Sequence, residues 1–122
     1  MKRARIIVAV IGIVLPYLVR IPRGKAWLAQ YLDAGLFGFV LLEAFNAIAW
    51  GSVLLLSFRY RHPTALAFPA ASTFGFLGFA HYVLDLASSS TASVALVFIP
   101  VYALAFVFVG GVIGLYIDMR LK

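Results

Sequence analysis

The run Leu32–Phe58 is 27 residues long and almost wholly apolar, yet it carries Glu43 and Asn46 near its middle. A helix over it is ~40 Å long, more than the ~30 Å hydrocarbon core of a bilayer. Hiding such a helix from water takes more protein than a chain of 122 residues can supply. Lipid is the simpler solvent. Composition agrees: 65% of the residues are hydrophobic and 11% charged, where a soluble domain carries roughly a quarter charged. No polar stretch approaches domain size, so 1–122 reads as a single transmembrane domain.

Three more apolar runs flank this one. The first, about 6–20, follows the basic start Met1–Arg5. At ~21 Å it is short, but Arg5 and Arg20 can snorkel and extend its reach. A basic start before a short apolar run also fits a secretory signal. No small-residue cleavage site follows, so the run is expected to remain as a span, bent near Pro16. Arg20–Gln30 is a basic connector with Pro22 and Gly24, flanked by Trp27 and Tyr31 as interfacial aromatics. The second span covers about 32–58. Pro63 suits the first position of a third helix, about 64–87. The hydroxyls of Ser88–Ser93 suit the cap of a fourth, about 92–117, which Pro100 should kink. The expected fold is an all-α four-helix transmembrane bundle in up-down-up-down order.

The formal charge of +6 suggests nucleic acid only until the charges are placed. Lys and Arg cluster at the ends of apolar runs, where they act as topology signals and lipid-headgroup contacts. With four spans, one side carries Lys2, Arg3, Arg5, Arg59, Arg61, Arg120 and Lys122, and the other Arg20, Arg23 and Lys25. The excess predicts both termini in the cytoplasm, in a multi-pass protein of a bacterial inner membrane. The chain has no Cys, which excludes disulfide, thiol and Cys-ligated zinc chemistry. His62 and His81 are ~28 Å apart along a helix, too far to share an ion in one subunit. No metal or other cofactor is expected.

Two polar groups stand out. Glu43 lies ~16 Å below the start of its span, near mid-membrane, with Asn46 three residues on along the same face. No cation in the sequence lies at that depth. Glu43 is either interhelical glue, protonated and bonded to Asn46 or a backbone carbonyl, or a proton- or cation-binding carboxylate lining a cavity. Nearer the outer surface, His81 and Asp85 are four residues apart and predicted to share a helical face. Asp33, Arg20, Arg23 and Lys25 complete a possible outer polar cluster. Its readings are interfacial ion pairs or a ligand site. Thr73–Phe79, TFGFLGF, departs from a potassium-filter sequence at its last position. Gly75 and Gly78, like Gly110, Gly111 and Gly114, are read as small residues that let helices approach.

No reaction-specific constellation appears, so an enzyme is not expected. The leading expectation is a subunit of an oligomeric transport or channel-like assembly, with Glu43 and Asn46 as the proton or cation site. Its partners are membrane lipids and either further copies or a larger membrane protein, and no nucleic acid. The alternatives are an accessory subunit without transport of its own, and a lipid-binding protein or membrane enzyme acting at the outer cluster. The charge count carries a direct test. In this Cys-free chain, Ser89→Cys should be labelled by an impermeant thiol reagent from outside intact cells and Lys122→Cys should not; the reverse pattern contradicts the topology.

Overall fold

In the computed structural model the described residues are 1–33, 35–89 and 91–121. Ala34, Ser90 and Lys122 lie outside them, the last being one of the cations counted above. The chain forms α1 (Lys2–Leu18), a 3-10 turn (Ile21–Arg23), α2 (Lys25–Leu32), α3 (Gly35–Ser57), α4 (Pro63–Val83), a second 3-10 turn (Ala92–Val94) and α5 (Ala95–Arg120). No strand occurs among the described residues. Four segments are long and apolar enough to cross a membrane: Lys2–Arg23, Gly35–Ser57, Pro63–Val83 and Ala92–Arg120. Large apolar side chains such as Leu36, Phe37, Leu55 and Phe108 remain exposed along them, as lipid-facing surface requires.

The helix ends differ from the hydropathy reading for local reasons. α1 starts at Lys2 because basic residues are good helix formers and the Arg5 amide bonds the Met1 carbonyl at 3.1 Å. The expected second span opens with a break. α2 ends at Leu32, and α3 begins at Gly35, whose φ of +67° lies in the left-handed region that favours glycine. α4 starts at Pro63 after an extended His62, as a proline at the first helical position demands. It ends at Val83, where Leu84 turns extended with ψ 122°. Asp85 therefore lies beyond the helix and shares no helical face with His81. The expected hydroxyl cap of α5 is not seen among the described residues of that loop: the N-cap is Val94, without a side-chain bond. Ser88 bonds the Asp85 carbonyl instead, and Ser89 faces Thr91.

α3 and α4 pack on each other, and each also touches α1 and α5. Close approach rests on particular glycines. A Cβ on Gly110 would sit 2.6 Å from Pro69 Cα and 2.7 Å from the Phe68 carbonyl, and one on Gly114 would sit 2.7 Å from the Ala65 carbonyl. These glycines let the backbones of α4 and α5 meet. Gly12 does the same between α1 and α3, where the Trp50 side chain occupies the space a Cβ would take. Gly75 has nothing within 4 Å, so close packing does not explain it.

One end of the bundle is fastened by Asp118. Both carboxylate oxygens accept from the Arg61 amide at 3.1 Å, and Oδ1 also takes the His62 amide and Nδ1, both at 2.9 Å. These amides belong to the turn before α4, which has no other acceptor for them, so the end of α5 serves as their cap. Beside it the Tyr60 hydroxyl donates to the Gly111 carbonyl at 3.0 Å; burial, then the Asp118 charge, push that phenol up. Between these anchors lies an apolar cluster of Val8, Val53, Ala65, Leu66 and Val107.

The glycine contacts separate two substitutions of the same chemistry. Gly110→Ala forces α4 and α5 apart and should cost about 1–3 kcal/mol, read as a lower midpoint of thermal unfolding in detergent. Gly75→Ala should stay within about 0.5 kcal/mol of the parent. Equal losses would contradict the packing described.

Candidate functional site

A helix ends with carbonyls that have no intrahelical donor and with the negative end of its dipole. At the end of α4 only the Ala80 carbonyl is closed by the chain's own turn, through the Leu84 amide at 3.1 Å. Side chains of the basic connector answer the carbonyls of His81 and Tyr82. Arg20 Nη1 donates to the His81 and Leu84 carbonyls at 2.8 and 2.7 Å. Trp27 Nε1 and Arg23 Nη1 both donate to the Tyr82 carbonyl, at 2.9 and 3.2 Å. The remaining Arg20 nitrogens reach the Trp27 carbonyl and Gln30 Oε1, each at 2.8 Å.

Arg20 is fully buried, and its guanidinium lies 3.9 Å from the centre of the Tyr31 ring and 4.8 Å from that of Trp27. Its nearest carboxylate acts at one remove: Gln30 Nε2 donates to Asp85 Oδ1 at 2.9 Å while Gln30 Oε1 accepts from Arg20. A buried cation is held here by carbonyl dipoles, aromatic faces and a relayed charge. Of the residues assigned to the outer cluster, Arg20, Arg23, His81 and Asp85 thus come together. Asp33 and Lys25 are exposed and form no side-chain hydrogen bond among the described residues. Gln30, Tyr31 and Trp27 belong to the assembly. The two aromatics carried a signal, as interfacial residues; Gln30 carried none.

Inward from Arg20 the bundle holds a second kind of polar group. The Tyr31 hydroxyl lies 2.7 Å from His81 Nδ1. Burial pushes the Tyr31 phenol up, with Arg20 opposing, so it stays a neutral hydroxyl. His81 is 1% exposed, and its other nitrogen, Nε2, is buried without a partner among the described residues. The same holds for Tyr17 Oη, both Glu43 oxygens, Asn46 Oδ1, Trp50 Nε1 and Thr73 Oγ1. All of these come from α1, α3 and α4, the three helices that pack on one another around α1.

Their neighbours fix their levels. Asn46 Nδ2 donates to the Gly12 carbonyl at 2.7 Å, a reach the missing Cβ permits. Five residues along α1, Tyr17 stacks on Phe39 of α3, ring centres 5.9 Å apart, and meets Tyr31 edge-on at 6.0 Å. Phe39, Glu43 and Asn46 follow one another at helical-face spacing. Glu43 therefore faces the stretch of α1 between Gly12 and Tyr17. The bond between Glu43 and Asn46 is not made: Asn46 Nδ2 donates to Gly12, while Asn46 Oδ1 and both buried Glu43 oxygens have no partner among the described residues. Tyr17 carried no signal in the sequence, because an aromatic in an apolar run reads as core.

Buried polar atoms in proteins nearly always have partners, and clustered exceptions mark water, ions or function. An acid, an imidazole, two hydroxyls and an amide oxygen in one interior seam can exchange protons and hold water between them. Compared with protein-family models, with curated proteins and with solved structures, the chain matches none.

The arginine cap predicts an unequal pair of variants. Arg20→Lys keeps the charge but replaces a planar fork with one ammonium, and should cost roughly 2 kcal/mol or more as charged hydrogen bonds are lost. Asp85→Asn keeps an acceptor for Gln30 and should cost under about 1 kcal/mol. Thermal unfolding in detergent orders the two; a larger loss for Asp85→Asn contradicts Arg20 as the anchor.

Proposed function

We propose that this chain is a four-span, up-down-up-down membrane subunit with both termini in the cytoplasm, and that it takes up and releases a proton or small cation at Glu43 within an oligomeric transport assembly. One observation carries the reading: both oxygens of the buried Glu43 carboxyl lack a hydrogen-bond partner among the described residues. A carboxyl kept as glue would be paired, because hydrocarbon offers no partner of its own. The glue role falls to Asn46, which clasps Gly12. Glu43 is left with the cost of an intramembrane acid and no structural return, the pattern of a working site.

The topology draws on charge and on contacts. The lysines and arginines of the Asp118 end outnumber those of the Arg20 end. Arg5 of α1 donates to Ser57 of α3, and Asp118 of α5 binds the turn before α4, which gathers four alternating helix ends. The packing supports the oligomeric part of the reading. With α3 against α4, one chain offers narrow seams in place of a lumen, so any solute larger than a proton or small ion needs space between subunits. The lipid-headgroup reading weakens because Arg20 is committed to carbonyls.

Glu43→Gln keeps size and hydrogen-bonding capacity but cannot bind a proton. Reconstituted into vesicles with a trapped pH dye or a sodium reporter, the parent should carry ions down a gradient and Glu43→Gln should not, while both elute at the same assembled size. Undiminished flux in a well-assembled Glu43→Gln protein sinks the proposal, and leaves the accessory role as the better reading.

A further inference from the structure

We propose that Glu43 takes up its proton from the Arg20 end of the bundle, through a relay of the Tyr31 hydroxyl and the His81 imidazole, and that Arg20 bars metal cations from the same route. This deepens the transport reading above: it names the transported ion as the proton and gives the side of entry.

Titratable side chains lie on the Arg20 side of Glu43, beside an apolar cluster that includes Leu77, Ala80 and Ile99. Towards the Arg20 end lie Tyr17, then Tyr31 and His81, whose rings meet edge-on at 5.6 Å. Leu15 and Val19 of α1 lie against Gly78 of α4, and Arg20 against the His81 carbonyl, so His81 stands within about one turn of the level of Tyr17. Beyond Asn46, Thr73 and Trp50, in the other direction, the interior is the apolar cluster of Val8, Val53, Leu66 and Val107, with Ala4, Leu54 and Phe74 packed against it. Val8, Val53, Leu66 and Val107 carry no titratable side chain, so entry is assigned to the Arg20 end.

His81 has the geometry of a shuttle. Its Nδ1 faces Tyr31 and its Nε2 is buried without a partner among the described residues, and a neutral imidazole has one donor and one acceptor nitrogen. When Tyr31 passes its proton to Nδ1 it regains one from water at the Arg20 end. The imidazolium then releases the Nε2 proton, which ends on the Glu43 carboxylate as the new O–H. The ring is left as its Nδ1–H tautomer, donating to Tyr31, and release from Glu43 along the same path in reverse restores the starting tautomer. One proton leaves the outer water and one appears on Glu43. The charged and titratable groups around His81 are Arg20 from the connector, Tyr31 from α2, Tyr17 from α1 and Asp85 through Gln30. A fixed guanidinium at that mouth repels cations, whereas a proton passes by exchange along hydrogen bonds.

The test uses Tyr31→Phe, which keeps the ring against Arg20 and removes only the hydroxyl. Detergent-solubilised protein is mixed with a pH-indicator dye in a stopped-flow pH jump. Expected is an uptake of about one proton per chain that vanishes in Glu43→Gln and slows by about ten-fold or more in Tyr31→Phe. His81→Gln should slow it likewise. Unchanged uptake rates in Tyr31→Phe and His81→Gln overturn the relay, whatever the vesicles do. Slowed uptake together with no Glu43-dependent flux in vesicles keeps the relay and rejects transport. In vesicles the parent should pass protons and exclude sodium; Glu43-dependent sodium entry overturns the barrier assigned to Arg20.

Discussion

The guanidinium of Arg20 meets the free carbonyls at the end of α4, and most of the polar architecture is arranged around that meeting. In hydrocarbon a helix end cannot rely on water. The connector after α1 folds back to supply donors: Arg20 to His81 and Leu84, Trp27 and Arg23 to Tyr82. Holding Arg20 in turn requires the faces of Tyr31 and Trp27 and the amide of Gln30. Those needs set α2 against α4 and bring the Tyr31 hydroxyl onto His81. The opposite end solves the reverse problem. Free amides before α4 are answered by the Asp118 carboxylate. α4 is thus fastened at its positive end by an anion and at its negative end by cations.

Between the two fastenings the interior divides. Near the Asp118 end it is apolar and close-packed, with glycines of α5 seated on the α4 backbone. Near the Arg20 end an apolar cluster that includes Leu77, Ala80 and Ile99 lies beside Tyr17 Oη, His81 Nε2 and a carboxyl that have no partner among the described residues. A chain selected only for stability would pair these groups or replace them with apolar ones. Their shared location on the faces of α1, α3 and α4 makes function the economical explanation.

Much of this was legible in the sequence, and the rest was not for physical reasons. Apolar length located the four spans because lipid acts on average composition. Glu43 was conspicuous because an acid is costly at that depth. Its surroundings were not, since the partner of Asn46 is a carbonyl exposed by Gly12 across an interface that no local pattern describes. Arg20 read as a topology charge; its actual partners are backbone atoms, which every residue owns and no residue type signals. Asp85 was assigned to a helical face that ends at Val83, because an apolar run does not record where a backbone turns extended. Asp118 stands one residue past the expected end of the fourth span and was assigned no role there, although it is the buried cap of a turn 56 residues away in sequence.

The central claim is that Glu43 is a free, exchangeable carboxyl inside the bundle. Infrared difference spectroscopy of the reconstituted protein tests it most directly. The account predicts one carboxyl carbonyl band that shifts in heavy water, disappears reversibly as pH is raised, and is missing in Glu43→Gln. A Glu43 band that neither exchanges nor responds to pH would describe a locked structural carboxyl and contradict it.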